Sequence, residues 1–370
     1  MRNRWFSFRN WLLANPLFQR RAAAFVLTRP IAQRRARGLF DLVAGFVYSQ
    51  VLLASVRLNL FEILAQGPQT IQALSLRIGL SSDATERLLS AGIALQLFER
   101  CAPDQYGLGV LGAPMVGNTA LAAMIEHHSA LYADLADPVA LLRGEAKTAH
   151  LAAYWPYAGA QPAGDLADVQ VARYCELMSA SQPLVAHEIL NAYAMSKHRC
   201  LLDVGGGDGT FLLQVAQHAP DLKLMLFDLP AVAQRGVANF EAAGLAHRAS
   251  ATGGDFLNDT LPSGADIATL VRVVHDHDDV CVLTLLKAVH HALAPGGTLL
   301  IAEPMAETEG AEAMGDAYFG FYLLAMGRGQ PRTPGRLTQL LEESGFHQIR
   351  RLTTYMPLQT QILLAIKESY

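Results

Sequence analysis

The chain has 370 residues, 51% of them hydrophobic and 17% charged, with a net charge of −4. That length suits two domains, and the apolar share suits a large core or a greasy ligand. The acidic balance argues against a nucleic-acid binder, and four scattered cysteines without a CxxC pair argue against a disulfide framework or zinc ribbon and for a reducing cytoplasm.

The charge is unevenly placed. Residues 1–40 hold nine arginines and no acid, interleaved with Trp5, Phe6, Phe8, Trp11, Leu12, Leu13, Leu17 and Phe18. Basic and aromatic residues at helical spacing predict an interfacial segment lying on a membrane surface. The same pattern also fits a solvated basic tail or an arm packed on a second subunit. No stretch of 18 uncharged apolar residues predicts a membrane-spanning helix, and the arginines break any signal-peptide pattern.

Residues 38–66 read as one apolar helix. Residues 70–99 read as helix, turn, helix, with Gly79-Leu80-Ser81-Ser82 as the break and Ser82 or Asp83 as the second helix's cap. Residues 100–112 read as a small wing. This winged-helix pattern presents only Arg87 on its second helix, beside Asp83 and Glu86, so it is read as a dimerisation scaffold rather than a DNA reader. Residues 118–194 continue mainly helical, punctuated by Pro138, Pro156, Pro162 and Pro183. The expected organisation is a basic segment over 1–37, a helical winged-helix-like dimerisation and substrate-lining domain over 38–195, and a ligand-binding domain over 196–370.

From His198 the period changes. Strand-like runs at 199–204, 223–228, 249–253, 266–273 and 298–303 alternate with helical runs at 209–219, 230–244, 279–294 and 333–344. That alternation predicts an α/β fold with a parallel, doubly wound, Rossmann-like sheet. Residues 347–355 and 359–366 read as a final hairpin at its edge.

The sharpest signal is Asp203-Val204-Gly205-Gly206-Gly207-Asp208-Gly209, between the first of these strands and its helix. Glycines there let a ligand lie against bare backbone. Asp228, at the end of the next strand, has the spacing to hold two ribose hydroxyls. The dinucleotide fingerprint would place glycine at position 210, where Thr210 stands. Asp203 and Asp208 would repel a pyrophosphate and suit a cation. S-adenosylmethionine, a sulfonium with no phosphate, therefore fits better than NAD.

A second cluster, Arg272-Val273-Val274-His275-Asp276-His277-Asp278-Asp279, falls at the carboxyl end of the fourth strand, where open α/β sheets bind ligands. Adjacent residues rarely all face one ion, so no metal is expected. Asp278 and Asp279 suit a helix start. His275 is the candidate base, since a neutral imidazole accepts a hydroxyl proton near neutral pH. Glu303, ending the fifth strand, has the place to orient that imidazole. Tyr318, Phe319, Tyr322 and Met326, at helical spacing, together with Met178, are candidates to line an apolar groove, or are plain core.

These motifs together resemble the small-molecule O-methyltransferases typified by the plant caffeate enzymes, from about residue 38 onward. The matching runs include Asp203 to Gly209, Phe227-Asp-Leu-Pro230, Gly253-Gly-Asp-Phe256, Val274-His-Asp-His277 and Leu293-Ala-Pro-Gly-Gly297. The resemblance implies a class I methyltransferase domain using S-adenosylmethionine. It assigns Asp203, Gly205, Gly207, Asp228, Asp255, Phe256 and Arg272 to that cofactor, and His275 with its neighbour Asp276 to catalysis. Segments 44–53, 127–137 and 318–326 are more narrowly similar to the carotenoid O-methyltransferases of purple bacteria, which methylate the tertiary hydroxyl at carbon 1. A homodimer is implied. Two positions depart from the wider family. His277 replaces an aromatic, and Pro331 replaces a second acidic partner of the base, leaving Glu303 to act alone. The rival readings are a phenol, quinone or polyketide O-methyltransferase, an NAD oxidoreductase, and a winged-helix regulator that senses S-adenosylmethionine.

Overall fold

The computed structural model describes residues 2–146, 150–152, 168–358 and 360–368, with side chains described from residue 4 and not for 168–174 or 176. Pro156 and Pro162 lie outside the described residues. The chain forms two compact units, Met1–Asn118 and Thr119–Tyr370. The helices between 119 and 195 therefore belong to the C-terminal unit, whereas the sequence reading grouped them with the dimerisation domain.

The first unit runs α1 (Arg2–Ala14), α2 (Pro16–Ala24), α3 (Arg29–Arg57), α4 (Leu60–Ala65), α5 (Ile71–Ile78) and α6 (Ser82–Ala94), then β1 (Phe98–Ala102) and β2 (Gln105–Leu108). The helix expected over 38–66 is broken. Asn59 adopts φ 54°, a left-handed turn that ends the run and starts α4. The cap of α6 is Ser81, one residue before the expected position, and its side chain accepts from Ala84 N. Strands β1 and β2 pair antiparallel, which completes the winged-helix pattern. By length and composition, α3 is apolar enough to cross a membrane. Asp41 is the charge that broke the uncharged stretch in the sequence.

The second unit opens with α7 (Thr119–Asp134), α8 (Pro138–Leu142) and α9 (Asp168–Ala192). Pro183 lies inside α9 instead of ending it. Its missing N–H leaves the carbonyl four residues back, at Ser179, without the usual helical donor.

The sheet comprises β3 (Cys200–Val204), β4 (Lys223–Asp228), β5 (Ala249–Gly253), β6 (Ile267–Val271), β7 (Thr298–Glu303), β8 (Phe346–Leu352) and β9 (Gln361–Lys367). Between them run α10 (Thr210–His218), α11 (Pro230–Ala242), α12 (Asp279–Ala292), α13 (Phe319–Met326) and α14 (Pro334–Glu343). The strand order is β5-β4-β3-β6-β7-β9-β8. The first five pair parallel, and β9 enters antiparallel beside β7 with β8 at the edge. The sheet is thus mixed, and its parallel part is doubly wound as expected.

The central strands β3, β6 and β7 are buried along nearly their whole length because both faces are covered. Successive residues enter opposite layers: Leu202, Ala268 and Leu299 join one core cluster, and Leu201, Ile267 and Leu300 join the other. The chain winds outward from β3 through β4 to β5, then returns to place β6 on β3's other side. The strand-order reversal lies between β3 and β6, so a crevice is expected outside their carboxyl ends. The glycine turn leaves β3 there, and the residues Arg272–His275 leave β6.

Candidate active site

Three left-handed glycines shape the turn after β3: Gly205 at φ 68°, Gly207 at 63° and Gly209 at 84°. These angles admit glycine at little cost and other residues poorly. The turn is pinned from below. Gly205 N donates to Phe227 O at 2.8 Å, and Gly207 N donates to Asp228 Oδ2 at 2.7 Å. The other oxygen of Asp228 accepts from Leu229 N at 2.7 Å. Asp228 is buried, and burial pushes its carboxyl up to about 7 against the pull of those two N–H donors. Each oxygen keeps one lone pair for a further donor, as a pair of ribose hydroxyls supplies.

Asp203 occupies a different place from Asp228. It is fully buried under the turn, where Oδ1 accepts from Thr269 Oγ1 at 2.6 Å. Oδ2 has no hydrogen-bond partner. Burial raises this carboxyl to about 7 as well. Asp203 therefore supports the turn from within. Asp208 accepts from Ser179 Oγ and Thr210 Oγ1, each at 2.7 Å.

A cleft of about 440 Å³, including its open mouth, is lined by Met178, Ser179, Gln182, Gly205–Asp208 and Arg272, among others. Arg272 adopts φ 57° just past β6. Its guanidinium donates to Ser181 Oγ at 2.7 Å, Met178 O at 3.1 Å, and Gln182 Oε1. A cationic fork and a carboxylate-flanked glycine turn thus share one cleft with the thioether of Met178. The donors and the bare backbone fit an adenosylated amino acid. Ser179, Ser181 and Gln182 were missed in the sequence reading, since polar residues on a long helix carry no motif until Arg272 is seen to reach them.

The cleft adjoins the His275 turn. A side chain at Gly205 would meet Val273 Cγ2 at 2.8 Å, so the two loops touch there. His275 and Asp276 are buried in a short helical turn, Val274–Asp276. Asp276 Oδ1 lies 3.2 Å from Nε2 of His275, and Glu303 Oε2 lies 3.3 Å from Nδ1. The same Glu303 oxygen accepts from the His275 main-chain N at 3.0 Å. Burial pulls the imidazole down, but Asp276 and then Glu303 outweigh it and hold His275 up at about 10. The expectation that Glu303 acts alone changes: the neighbouring Asp276 supplies a second carboxylate.

The turn carrying His275 is clamped from outside. Arg332 is buried and donates to Val274 O at 2.9 Å, His277 O at 2.7 Å and Asp279 Oδ1 at 2.7 Å. Gln330 N donates to His275 O at 2.9 Å. Gly329 passes so close that a Cβ would sit 2.2 Å from His275 O. Asp278 caps α12 through Cys281 N at 2.9 Å. Asp279 pairs with Arg332 and Arg336.

The remaining candidates separate. Phe319 faces His275, with ring centroids 5.8 Å apart, and Tyr318 packs on Phe319 at 5.1 Å. Tyr318 closes a π-helical turn, Ala313–Tyr318, a deviation often found at functional sites. Its hydroxyl meets His128 Nε2 at 2.7 Å, and that of Tyr322 meets His127 Nε2 at 2.7 Å. Tyr322 and Met326 are buried in a cluster with Leu131 and Val232, so the structure places them in the core. Asp255 spends its carboxylate locally, on Leu257 N and Asn258 Nδ2. Phe256 stands edge-on to His277 at 5.2 Å.

Two family models match. An O-methyltransferase domain covers residues 132–347, and an O-methyltransferase dimerisation domain covers 40–125. The chain belongs to the O-methyltransferase family. Within it, the chain is 42% identical to a demethylspheroidene O-methyltransferase of Cereibacter sphaeroides, over 95% of this chain and 92% of that protein. It is 40% identical to one of Rhodobacter capsulatus, over 92% and 84%. The fold is shared with human N-acetylserotonin methyltransferase in complex with SAM, at TM-score 0.70 and 24% identity over 90% of this chain and 98% of that one.

Proposed function

We propose that this enzyme transfers a methyl group from S-adenosylmethionine to the tertiary carbon-1 hydroxyl of an acyclic carotenoid, with His275 as general base, and that it works as a homodimer in the cytoplasm. The family supports methyl transfer to oxygen. The carotenoid is supported by the names of the two relatives at 42% and 40% identity. The homodimer is supported by the dimerisation-domain match. The four cysteines are free thiols, in keeping with a reducing compartment. The observation that carries the chemistry is the imidazole of His275 set between Glu303 and Asp276 and faced by Phe319.

When bound, the cofactor supplies an electrophilic methyl on a cationic sulfur. The chain's residues supply placement and a proton acceptor. Gly205 and Gly207 offer backbone, Asp228 offers lone pairs for ribose hydroxyls, and Arg272 offers a cation for a carboxylate. Holding donor and acceptor in line is the larger part of the work, because proximity alone is worth several kcal/mol. The hydroxyl proton passes to the imidazole of His275, which Asp276 and Glu303 flank. The resulting imidazolium rests against Glu303 at Nδ1. At neutral pH the free site already holds a proton, so His275 must first release it to solvent before it can accept the hydroxyl proton. Phe319 and Tyr318 give the polyene an apolar wall beside the base.

The test is methylation of extracted 1-hydroxy carotenoids with labelled S-adenosylmethionine, by wild type and His275→Gln. Wild type is expected to give the methoxy carotenoid and the variant to lose at least about 100-fold, the lower end of general-base effects. Turnover of phenols or quinones but not of the carotenoid would overturn the substrate, and an unimpaired variant would remove His275 from the mechanism.

A further inference from the structure

We infer that α1 and α2 form a docking surface for an anionic phospholipid bilayer, on which α1 lies flat. Along α1, Trp5, Phe8 and Trp11 recur at every third residue and form one ladder. Ring centroids are 6.3 Å apart between Trp5 and Phe8 and 6.2 Å between Phe8 and Trp11. All three are exposed, at 62%, 52% and 65%. Three bulky aromatic side chains in contact with one another and turned to water are costly on a free surface.

Further apolar side chains are exposed beyond α1. Asn15 caps α2 through Leu17 N and Phe18 N, which fixes the corner between the two helices. Leu17 and then Phe25, Val26 and Leu27, in the turn before α3, are exposed as well. The charge around this surface has one sign. Arg4, Arg9, Arg20, Arg21 and Arg29 accompany it, and the first acid in the chain is Asp41. Arg9 stacks over Phe6 with its guanidinium 4.9 Å from the ring centre, which sets a cation beside the aromatic ladder.

Trp and Phe settle at the headgroup level of a bilayer, and each arginine near an anionic surface strengthens binding several-fold. Exposed aromatic rings interleaved with arginines on one helix favour the interface plane, where the rings leave water and the cations meet lipid phosphates. Two other occupants fit less well. The dimerisation-domain match begins at residue 40, so the exposed Phe40, Leu42, Val43 and Phe46 of α3 lie inside it, whereas α1 and α2 lie wholly before it. Nucleic acid would meet the rest of the chain, where all 33 acidic residues face only 20 basic ones.

The test uses full-length protein and two sets of vesicles: phosphatidylcholine alone, and phosphatidylcholine with a third phosphatidylglycerol. Co-sedimentation is expected on the anionic vesicles, at least about tenfold weaker on the neutral ones, and weakened again by high salt. Two of the chain's three tryptophans sit on the ladder. Their emission is expected to shift to the blue on binding. The pairs Trp5→Ala/Trp11→Ala and Arg4→Glu/Arg9→Glu should each weaken vesicle binding about tenfold or more. Affinity for S-adenosylhomocysteine should stay unchanged, a control that the fold survives. Absence of vesicle binding, or binding indifferent to both pairs, overturns the inference. So does a dimer that falls to monomer in the Trp pair without vesicles, because the ladder would then cover a second copy of the chain. None of these readouts needs a carotenoid, so the inference fails or stands apart from the proposed substrate.

Discussion

Glu303 holds His275 at two points with one oxygen: Oε2 accepts the main-chain N–H at 3.0 Å and lies 3.3 Å from Nδ1 of the ring. The carboxylate is fully buried at the end of β7, so nothing from solvent competes for it. One side chain therefore fixes where the turn sits and adds to the charge that Asp276 sets against the imidazole. Glu303→Gln keeps the shape and removes the charge. Methyl transfer at saturating cofactor is expected to fall at least about tenfold, the scale of one charge-assisted hydrogen bond. The loss should appear in kcat with cofactor affinity unchanged. A fall in cofactor affinity alone would make Glu303 a purely structural residue.

Asp276 is expected to set the pH at which His275, the proposed base, works. Burial lowers the imidazole's proton affinity, and Asp276, 3.2 Å from Nε2, is the largest influence raising it. With His275 at about 10, the proton-free fraction grows as pH rises, and kcat/KM should climb through the alkaline range. Asp276→Asn withdraws an anion from the imidazolium, so the rising limb should move to lower pH. The same logic sets stability. The folded value stands above the ordinary 6.5, so the ion pairs stabilise the fold fully below about 6.5 and lose that contribution as pH rises through about 10. A pH–rate profile for both proteins checks the direction. An Asp276→Asn profile superimposable on wild type would sink the assignment.

The strands and helices from residue 200 onward were legible because their periods differ and because glycine marks one turn. Asp228 was legible as a candidate from spacing, and His275 as a candidate from its place at a strand end. Arg332 was not. Its three bonds reach carbonyls and a carboxylate more than fifty positions back in the chain, and no local pattern announces such a partner. Asp203 shows the opposite limit. As an acid beside a glycine turn it reads as a ligand residue, yet the pleat of β3 sends its side chain inward to Thr269. Tyr322 and Met326 share helical spacing with Phe319, and spacing does not tell a groove wall from a core. The break at Asn59 was hidden because the residues on both sides are equally apolar.

Gly206 tests the packing beneath the turn. A methyl there would meet Asp203 Oδ2 at 2.3 Å and Leu226 Cδ1 at 2.5 Å. Both neighbours are fully buried, and neither can swing into solvent. Gly206→Ala is expected to cost about 1–3 kcal/mol of stability, the range for overpacking, and to weaken cofactor binding by lifting the turn. Denaturant unfolding measures the first and calorimetry the second. An alanine variant as stable as wild type would mean that the turn is looser than its contacts imply.

Asp228 is expected to link cofactor binding to protons. Its carboxyl stands at about 7 in the free protein, raised by burial above the usual 3.8. A folded value raised in this way favours the protonated form. Its contribution to stability is present below about 3.8 and is lost as pH rises through about 7. Ribose hydroxyls donate to the ionised form, so a bound nucleoside must pull this value down. Binding of S-adenosylhomocysteine should therefore release protons below about pH 7, and its affinity should rise toward that pH and then level off. Asp203 titrates in the same range but faces Thr269, so Asp203→Asn should leave most of the proton release in place. Asp228→Asn should abolish it and weaken binding at least about tenfold, since one charged hydrogen bond is worth about 1.5–3 kcal/mol. Calorimetry in two buffers of different ionisation heat reads the proton count directly. Binding without proton release in wild type would place the ribose away from Asp228.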